Sequence, residues 1–118
     1  MSEADIQKAI QIAASQDGHR LFRRNAGKCW LGVVVARVGD MLHLKHPRMV
    51  ELGIEGTPDL EGYSSQGRAI YIEVKRPGGK RREAQERFIL AAAERGCLAG
   101  FAESVEQARA IWTPNNER

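Results

Sequence analysis

The stretch TPDLEGYSSQGRAIYIEVKRP, residues 57–77, decides how this chain folds. It contains two β-type segments separated by a short polar turn. The predicted strands run over Thr57–Tyr63 and Ala69–Lys75. Because side chains alternate between the two faces of a strand, Glu73 and Lys75 share one face, and Ile70, Ile72 and Val74 share the other. The apolar face is the one expected to join the core.

The turn sets which residues of the two strands stand opposite each other. If Ser65–Gly67 forms a three-residue loop whose glycine takes the left-handed conformation, Ser64 faces Arg68 and Asp59 faces Glu73. A slip of one residue would instead turn Asp59 to the opposite face. Directly opposed carboxylates repel each other, with Cβ atoms about 5 Å apart. Mg²⁺ is commonly held by one or two carboxylates, so this pair is a candidate metal site.

Basic residues concentrate around this pair. Lys75 lies one pleat beyond Glu73 on the same face, where an ammonium group could orient a water molecule and offset charge on a phosphate. The net charge of the chain is only +3, so the distribution of its cations matters more than their number. Clustered cations suit a polyanion such as nucleic acid, although many charge runs are simply solvated surface. The predicted DNA-contact residues are Arg23, Arg24, Asn25, Lys80, Arg81 and Arg82.

Length and composition describe one globular domain over residues 1–118. Hydrophobic residues make up 42% of the chain and charged residues 28%, enough of each for a core and a hydrated surface. No apolar run approaches the roughly 20 residues that span a bilayer. The N-terminus is acidic and amphipathic and does not read as a signal peptide. These features predict a cytoplasmic protein that makes no membrane contact and keeps both cysteines reduced.

The whole chain alternates between helical and strand patterns. The predicted order is α-β-β-β-β-α-β-α, a mixed sheet with helices on its faces. Helices are predicted over residues 3–17 and 80–95 and after Ser104. The other strands are predicted over 19–25, 29–37 and 97–102. Residues 38–56 are ambiguous, with one helical turn expected in RMVELG.

Two short motifs within residues 57–77 resemble those of a nuclease superfamily. Pro58-Asp59, followed by Glu73-Val74-Lys75, looks like the PD-(D/E)xK motif. The predicted element order is similar to the restriction-endonuclease-like αβββαβ core of that superfamily. Five segments, spread from Ser2 to Ala102, together resemble the virus-type replication-repair nuclease (VRR-NUC) family. These segments are SEADIQKAI, LFRRNAG, GIEGTPDLEGY, IYIEVKRPGGK and REAQERF.

The resemblance implies a metal-dependent endonuclease that acts on DNA. The implied ligands of Mg²⁺ or Mn²⁺ are Asp59, Glu73 and the carbonyl of Val74. A further acidic ligand is implied in the first helix, where Glu3 fits best and Asp5 is the alternative.

The resemblance also implies catalytic roles beyond the metal ligands. Lys75 would position the attacking water, and Gln85 matches a family glutamine near the active site. Small phage-type members resemble Holliday-junction resolvases and act as homodimers, which implies a branched DNA substrate and a phage or prophage origin in a bacterial host. Two alternatives stay open. One is a less selective nickase, flap nuclease or exonuclease, and the other is a non-catalytic basic DNA-binding module.

Overall fold

The computed structural model describes residues 1–24 and 27–113, and the chain divides into two compact units. The first unit comprises residues 1–24 and 55–118, and the second comprises residues 25–54. The elements in chain order are α1 (Glu3–Gln16), β1 (Arg20–Arg23), β2 (Gly27–Val38), β3 (Met41–Leu52), β4 (Leu60–Tyr63), β5 (Ala69–Val74), α2 (Glu83–Glu94), β6 (Leu98–Ala102) and α3 (Val105–Trp112).

The first unit is built on a four-stranded sheet with the order β1-β4-β5-β6. The pairs β1-β4 and β4-β5 are antiparallel, whereas β5-β6 is parallel. The α2 helix provides the crossover that a parallel pair requires. Within this unit the order of elements is α-β-β-β-α-β-α, so the predicted mixed sheet and αβββαβ core are confirmed.

The hairpin of β4 and β5 has the predicted register. Leu60 pairs with Ile72 and Tyr63 pairs with Ala69. The backbone N–H of Ser64 donates to the carbonyl of Arg68 at 2.8 Å. The three-residue loop closes through Gly67, which has φ of 82° and therefore occupies the left-handed region that glycine tolerates.

The core lies on the apolar face of β5. Ile70, Ile72 and Val74 are fully buried there. The same cluster contains the buried face of α1, whose members recur at helical spacing: Ile6, Ile10, Ala13 and Ala14. A Ser2–Asp5 capping box begins α1, and a left-handed Gly18 ends it.

The second unit is an antiparallel hairpin of β2 and β3. The predicted place of residues 29–37 in the central sheet is wrong, because β2 pairs with β3 in a separate two-stranded sheet. The helical turn expected in RMVELG is also wrong, since those residues belong to β3 and its end. The run Val33–Val35 has the β-branched composition of a buried strand, and composition does not identify a strand's partner.

Gly62 marks a close approach between two strands, and its replacement tests that packing. A Cβ atom at this position would collide with the carbonyl oxygen of Arg20 on β1. We expect Gly62→Ala to lower the free energy of unfolding by about 1–3 kcal/mol, because the edge strand must shift. Urea denaturation measures this, with Ser65→Ala in the exposed loop as the control. A change below roughly 0.5 kcal/mol would show that β1 moves freely.

Candidate active site

Two carboxyl groups, the half-buried one of Asp59 and the buried one of Glu73, are held together where β4 begins and β5 ends. The backbone N–H of Asp59 donates to Oε1 of Glu73 at 3.1 Å, and the N–H of Val74 donates to Oδ2 of Asp59 at 3.1 Å. Each acid is thus fixed by the backbone of the other strand. Glu73 is only 4% exposed, so its carboxyl group has little access to solvent.

The proximity of these acids changes how they hold protons. Burial raises the pKa of Glu73 to about 7, and the charge of Asp59 adds to that rise. Burial likewise raises the pKa of Asp59, although the N–H of Val74 opposes it. Near neutral pH the pair therefore retains a proton, because two negative charges at this separation are costly. A divalent cation would remove the same repulsion without a proton.

Lys75 and Gln85 both reach the second oxygen of Glu73. The Nζ of Lys75 lies 3.7 Å from Oε2, and its side chain is buried like that of Glu73. Gln85, in the first turn of α2, donates its amide to the same oxygen at 2.9 Å. Its own carbonyl accepts the backbone N–H of Arg82 at 3.0 Å. The start of α2 is thereby tied to the carboxylate pair. The predicted catalytic residues Glu73, Lys75 and Gln85 all meet beside Asp59.

The first helix offers Glu3, rather than Asp5, to this region. Oε2 of Glu3 accepts a long hydrogen bond of 3.4 Å from the N–H of Arg76. The charge of Glu3 also contributes to the raised pKa of Asp59. Asp5 instead caps α1, where hydrogen bonds from Ser2 lower its pKa. Of the two acids that the sequence left open, only Glu3 acts on Asp59.

The donor atoms at this place suit a hard divalent cation. The carboxyl oxygens of Asp59 and Glu73 are ligands that Mg²⁺ and Mn²⁺ prefer. Val74 lies between Glu73 and Lys75, and its N–H bonds to Asp59. Over residues 1–24 and 27–113, no three His, Cys, Asp or Glu side chains cluster tightly enough to hold a metal. Glu3 therefore stands beside the pair without completing a three-acid cage.

The predicted DNA-contact residues fall into two groups. Arg24 forms an ion pair with Glu61 at 2.8 Å, and the guanidinium of Arg81 lies 4.2 Å from the centre of the Phe101 ring. Arg81 is nevertheless exposed, as are the others that can be placed, which make no such contact with the described residues: Arg23, Lys80 and Arg82. Asn25 lies outside the described residues. The helix predicted over residues 80–95 in fact begins at Glu83. Lys80–Arg82 therefore precede α2 and do not form its first turn.

Sequence reasoning missed Glu61 and Phe101 as partners of these arginines. Glu61 lies two residues after Asp59, and the alternation of a strand places it on the same face, so its position could have been inferred. Phe101 pairs with Glu73 across β5 and β6. Nothing in the local sequence reveals that parallel register.

This fold, with paired acids and a lysine at one end of a mixed sheet, is that of a PD-(D/E)xK-type nuclease. The VRR-NUC domain matches residues 2–106 of the 118-residue chain, and the chain belongs to that family. The predicted family is therefore confirmed. A nuclease of this type acts on DNA, and such enzymes generally use divalent metals.

No curated protein matches the sequence significantly. Among the described residues, every helix is too short or too polar to cross a membrane.

The raised pKa of Glu73 predicts a pH-dependent stability. The unfolded chain loses this proton near the ordinary value of 4.5, but the folded protein keeps it until about pH 7. Since the folded state binds more protons between these values, its metal-free stability should fall as pH rises through this window, by roughly 1–3 kcal/mol.

Thermal unfolding in chelator and in Mg²⁺ or Mn²⁺, from pH 5 to pH 8, measures this effect. If Asp59 and Glu73 hold the metal, the stabilisation by metal should grow with pH, because a cation would bind the ionised pair. A metal-free stability that rises across the same window would contradict the assignment.

Proposed function

We propose that this protein is a Mg²⁺- or Mn²⁺-dependent endonuclease that cuts branched DNA as a homodimer, in the manner of a Holliday-junction resolvase. The observation that carries the proposal is the interlocked pair of Asp59 and Glu73, with Lys75 and Gln85 on one oxygen of Glu73. Asp59, Glu73 and the carbonyl of Val74 are the proposed metal ligands, with Glu3 as an outer acid.

The residues of the chain have separate tasks in the proposed reaction. Water attacks phosphorus, the bond to the leaving oxygen breaks, and a phosphate monoester and a hydroxyl group result. A bound divalent cation would supply Lewis-acid stabilisation of the charge that develops on the phosphate. Lys75 donates a hydrogen bond to the attacking water and favours its deprotonated form electrostatically. Gln85 fixes the carboxyl plane of Glu73 and anchors the start of α2 beside it.

The hairpin of the second unit supports the homodimer. A two-stranded ribbon is marginally stable in water unless another surface covers it. Its large apolar side chains are highly exposed, with Trp30 at 59% and Val33 at 61%. Exposed large apolar side chains that are grouped in this way are typical of association sites. A second copy of the chain would cover it and supply a second active site for the opposing DNA strand.

The decisive experiment incubates the protein with labelled DNA of several shapes. A four-way junction, a flap, a nicked duplex and a linear duplex are each tested in Mg²⁺, in Mn²⁺ and in chelator. The proposal expects paired, symmetric cuts in the junction that require metal. Sedimentation of the protein alone should give the mass of two chains.

The other outcomes distinguish the alternatives. Metal-dependent cutting of flaps or duplex, with the junction bound but uncut, would keep the nuclease and replace its substrate. Binding of every DNA without cleavage in either metal would favour the non-catalytic basic module. The proposed location is the cytoplasm of a bacterial host, where a phage- or prophage-encoded resolvase would meet replicating DNA.

A further inference from the structure

Two of the arginines near the candidate active site are held in place before any DNA arrives. Nη1 of Arg24 contacts Oε1 of Glu61, and the side chains of both residues are about one-third exposed. Arg81 lies over the ring of Phe101. Arg81 is exposed, as are the neighbouring Arg23 and Arg82, but the described residues give the guanidinium groups of Arg23 and Arg82 no comparable contact. The basic residues around the site are therefore not equivalent.

The two held arginines lie on the catalytic face of the sheet. Glu61 lies two residues after Asp59, which immediately precedes β4, and strand alternation places both side chains on one face of the sheet. Phe101 is the parallel partner of Glu73, and paired side chains project to the same side. Both contacts therefore position a guanidinium group on the face that carries the carboxylate pair.

The strand order puts the arginines on opposite sides of the pair. Arg24 follows the edge strand β1, and its N–H donates to the carbonyl of Asp59 at 2.8 Å. Phe101 is on β6, at the other edge. Neighbouring strands are about 4.8 Å apart, so β1 and β6 are separated by about 14 Å with β4 and β5 between them. A line drawn across the strands passes Arg24, the two acids and then Arg81.

The two contacts leave the arginines able to bind phosphate. A guanidinium group has five N–H donors in its plane. The guanidinium of Arg81 lies over the ring of Phe101, and no carboxylate or carbonyl of the described residues takes up its N–H donors. Glu61 engages Nη1 of Arg24, so other donors remain. A side chain that is already ordered loses less conformational entropy when phosphate binds.

We infer that Arg24 and Arg81 bind the phosphates on either side of the one that is cleaved, and that Glu61 and Phe101 are positioning residues for them. The DNA backbone then crosses the sheet from β1 towards β6 and does not run along the strands. This inference rests on the proposed nuclease function. It separates two arginines that hold the phosphates flanking the cleaved one from cations without a holding contact, which only strengthen binding.

Phe101 is tested through its partner. Arg81→Gln should lower kcat about 30-fold, whereas the matched change Arg82→Gln should raise KM and leave kcat within about twofold. Phe101→Leu should lower kcat about tenfold, and Phe101→Tyr should retain it, because the ring is kept. In an Arg81→Gln background Phe101→Leu should add nothing. Equal effects in both backgrounds would overturn the positioning role, since Phe101 would then act through the packing of β6.

Substitution of Glu61 gives an independent test, because DNA affinity should not fall while kcat does. If Glu61 were only a surface acid, Glu61→Gln would remove repulsion, tighten DNA binding and leave kcat unchanged. Because it holds Arg24, we expect tighter or equal binding together with a kcat about tenfold lower. An unchanged kcat would overturn this half of the inference. Unfolding curves for each variant identify any loss that comes from misfolding.

The position of each arginine is tested with DNA that carries one uncharged methylphosphonate near the cleaved bond. In the unmodified protein, neutralising either flanking phosphate should slow cleavage. The penalty on one side should vanish in Arg81→Gln, and the penalty on the other side should vanish in Arg24→Gln. Loss of the same penalty in both variants would overturn the crossing direction.

Binding of the same DNA in chelator separates this inference from the proposed function. If the protein cuts nothing, methylphosphonate effects on affinity still test the two arginines. If it cuts DNA but Arg81→Gln behaves like Arg82→Gln, only the inference fails.

Discussion

Glu73→Gln should abolish cleavage and stabilise the metal-free protein at the same time. We expect the rate of DNA cleavage to fall by about 10³-fold or more, because one of the two proposed charged ligands is lost. Above pH 7 the wild-type protein holds an ionised, buried Glu73 beside Asp59, and the amide removes that repulsion. The variant should therefore lose the fall in stability between pH 4.5 and pH 7 and gain roughly 1–3 kcal/mol at pH 8.

Cleavage assays and denaturant unfolding in chelator measure the two effects on one preparation. Glu86→Gln, an exposed acid on α2, is the matched control and should change neither quantity. The combination is diagnostic, since a residue that merely stabilised the fold would lose activity and stability together. A variant that cleaves within tenfold of the wild-type rate would remove Glu73 from the metal site.

Lys75→Met should lower the cleavage rate by about 10²- to 10³-fold and leave the fold intact. Methionine fills a similar volume at this buried position, so the loss reports the ammonium group. The substitution also has a second effect on the cleavage rate, because Lys75 opposes the rise in the pKa of Glu73. Its removal should keep Glu73 protonated to higher pH and weaken metal binding near neutrality.

A pH profile separates the two roles of Lys75. If the lysine only kept Glu73 ionised, activity of the variant would recover at pH 9, where Glu73 has lost its proton. We expect no such recovery, because in the proposed reaction the lysine also orients the attacking water. Lys80→Met, which removes an exposed cation just before α2, is the control and should affect DNA affinity more than the rate. Full recovery at high pH would reduce Lys75 to an electrostatic partner of Glu73.

The burial of Lys75 and Glu73 explains why this part of the fold favours function over stability. Two acids and a lysine in a poorly hydrated corner are costly, and apolar residues of similar size often stabilise such positions better. In the described parts of the chain, nevertheless, every fully buried side-chain N or O atom has a hydrogen-bond partner. These costly charged groups are therefore held in a defined geometry.

Much of the candidate site followed from local sequence. Loop length and Gly67 set the hairpin register, and the register brought Asp59 opposite Glu73. The resemblance to the VRR-NUC family directed attention to Glu3 and Gln85, whose roles stay predictions. The prediction failed between the first strand and Gly56. An exposed ribbon and a buried strand can share the same β-branched composition, so composition did not distinguish them.

The sequence by itself determined the hairpin, its register and the division of β5 into an apolar and a charged face. These features depend on contacts a few residues apart, where turn chemistry and alternation leave little choice. Only the tertiary structure decided that Gln85 reaches Glu73, that Phe101 lies under Arg81 and that Glu61 pairs with Arg24. Those contacts join elements up to 37 residues apart, and they depend on strand order and helix docking, which no local pattern specifies.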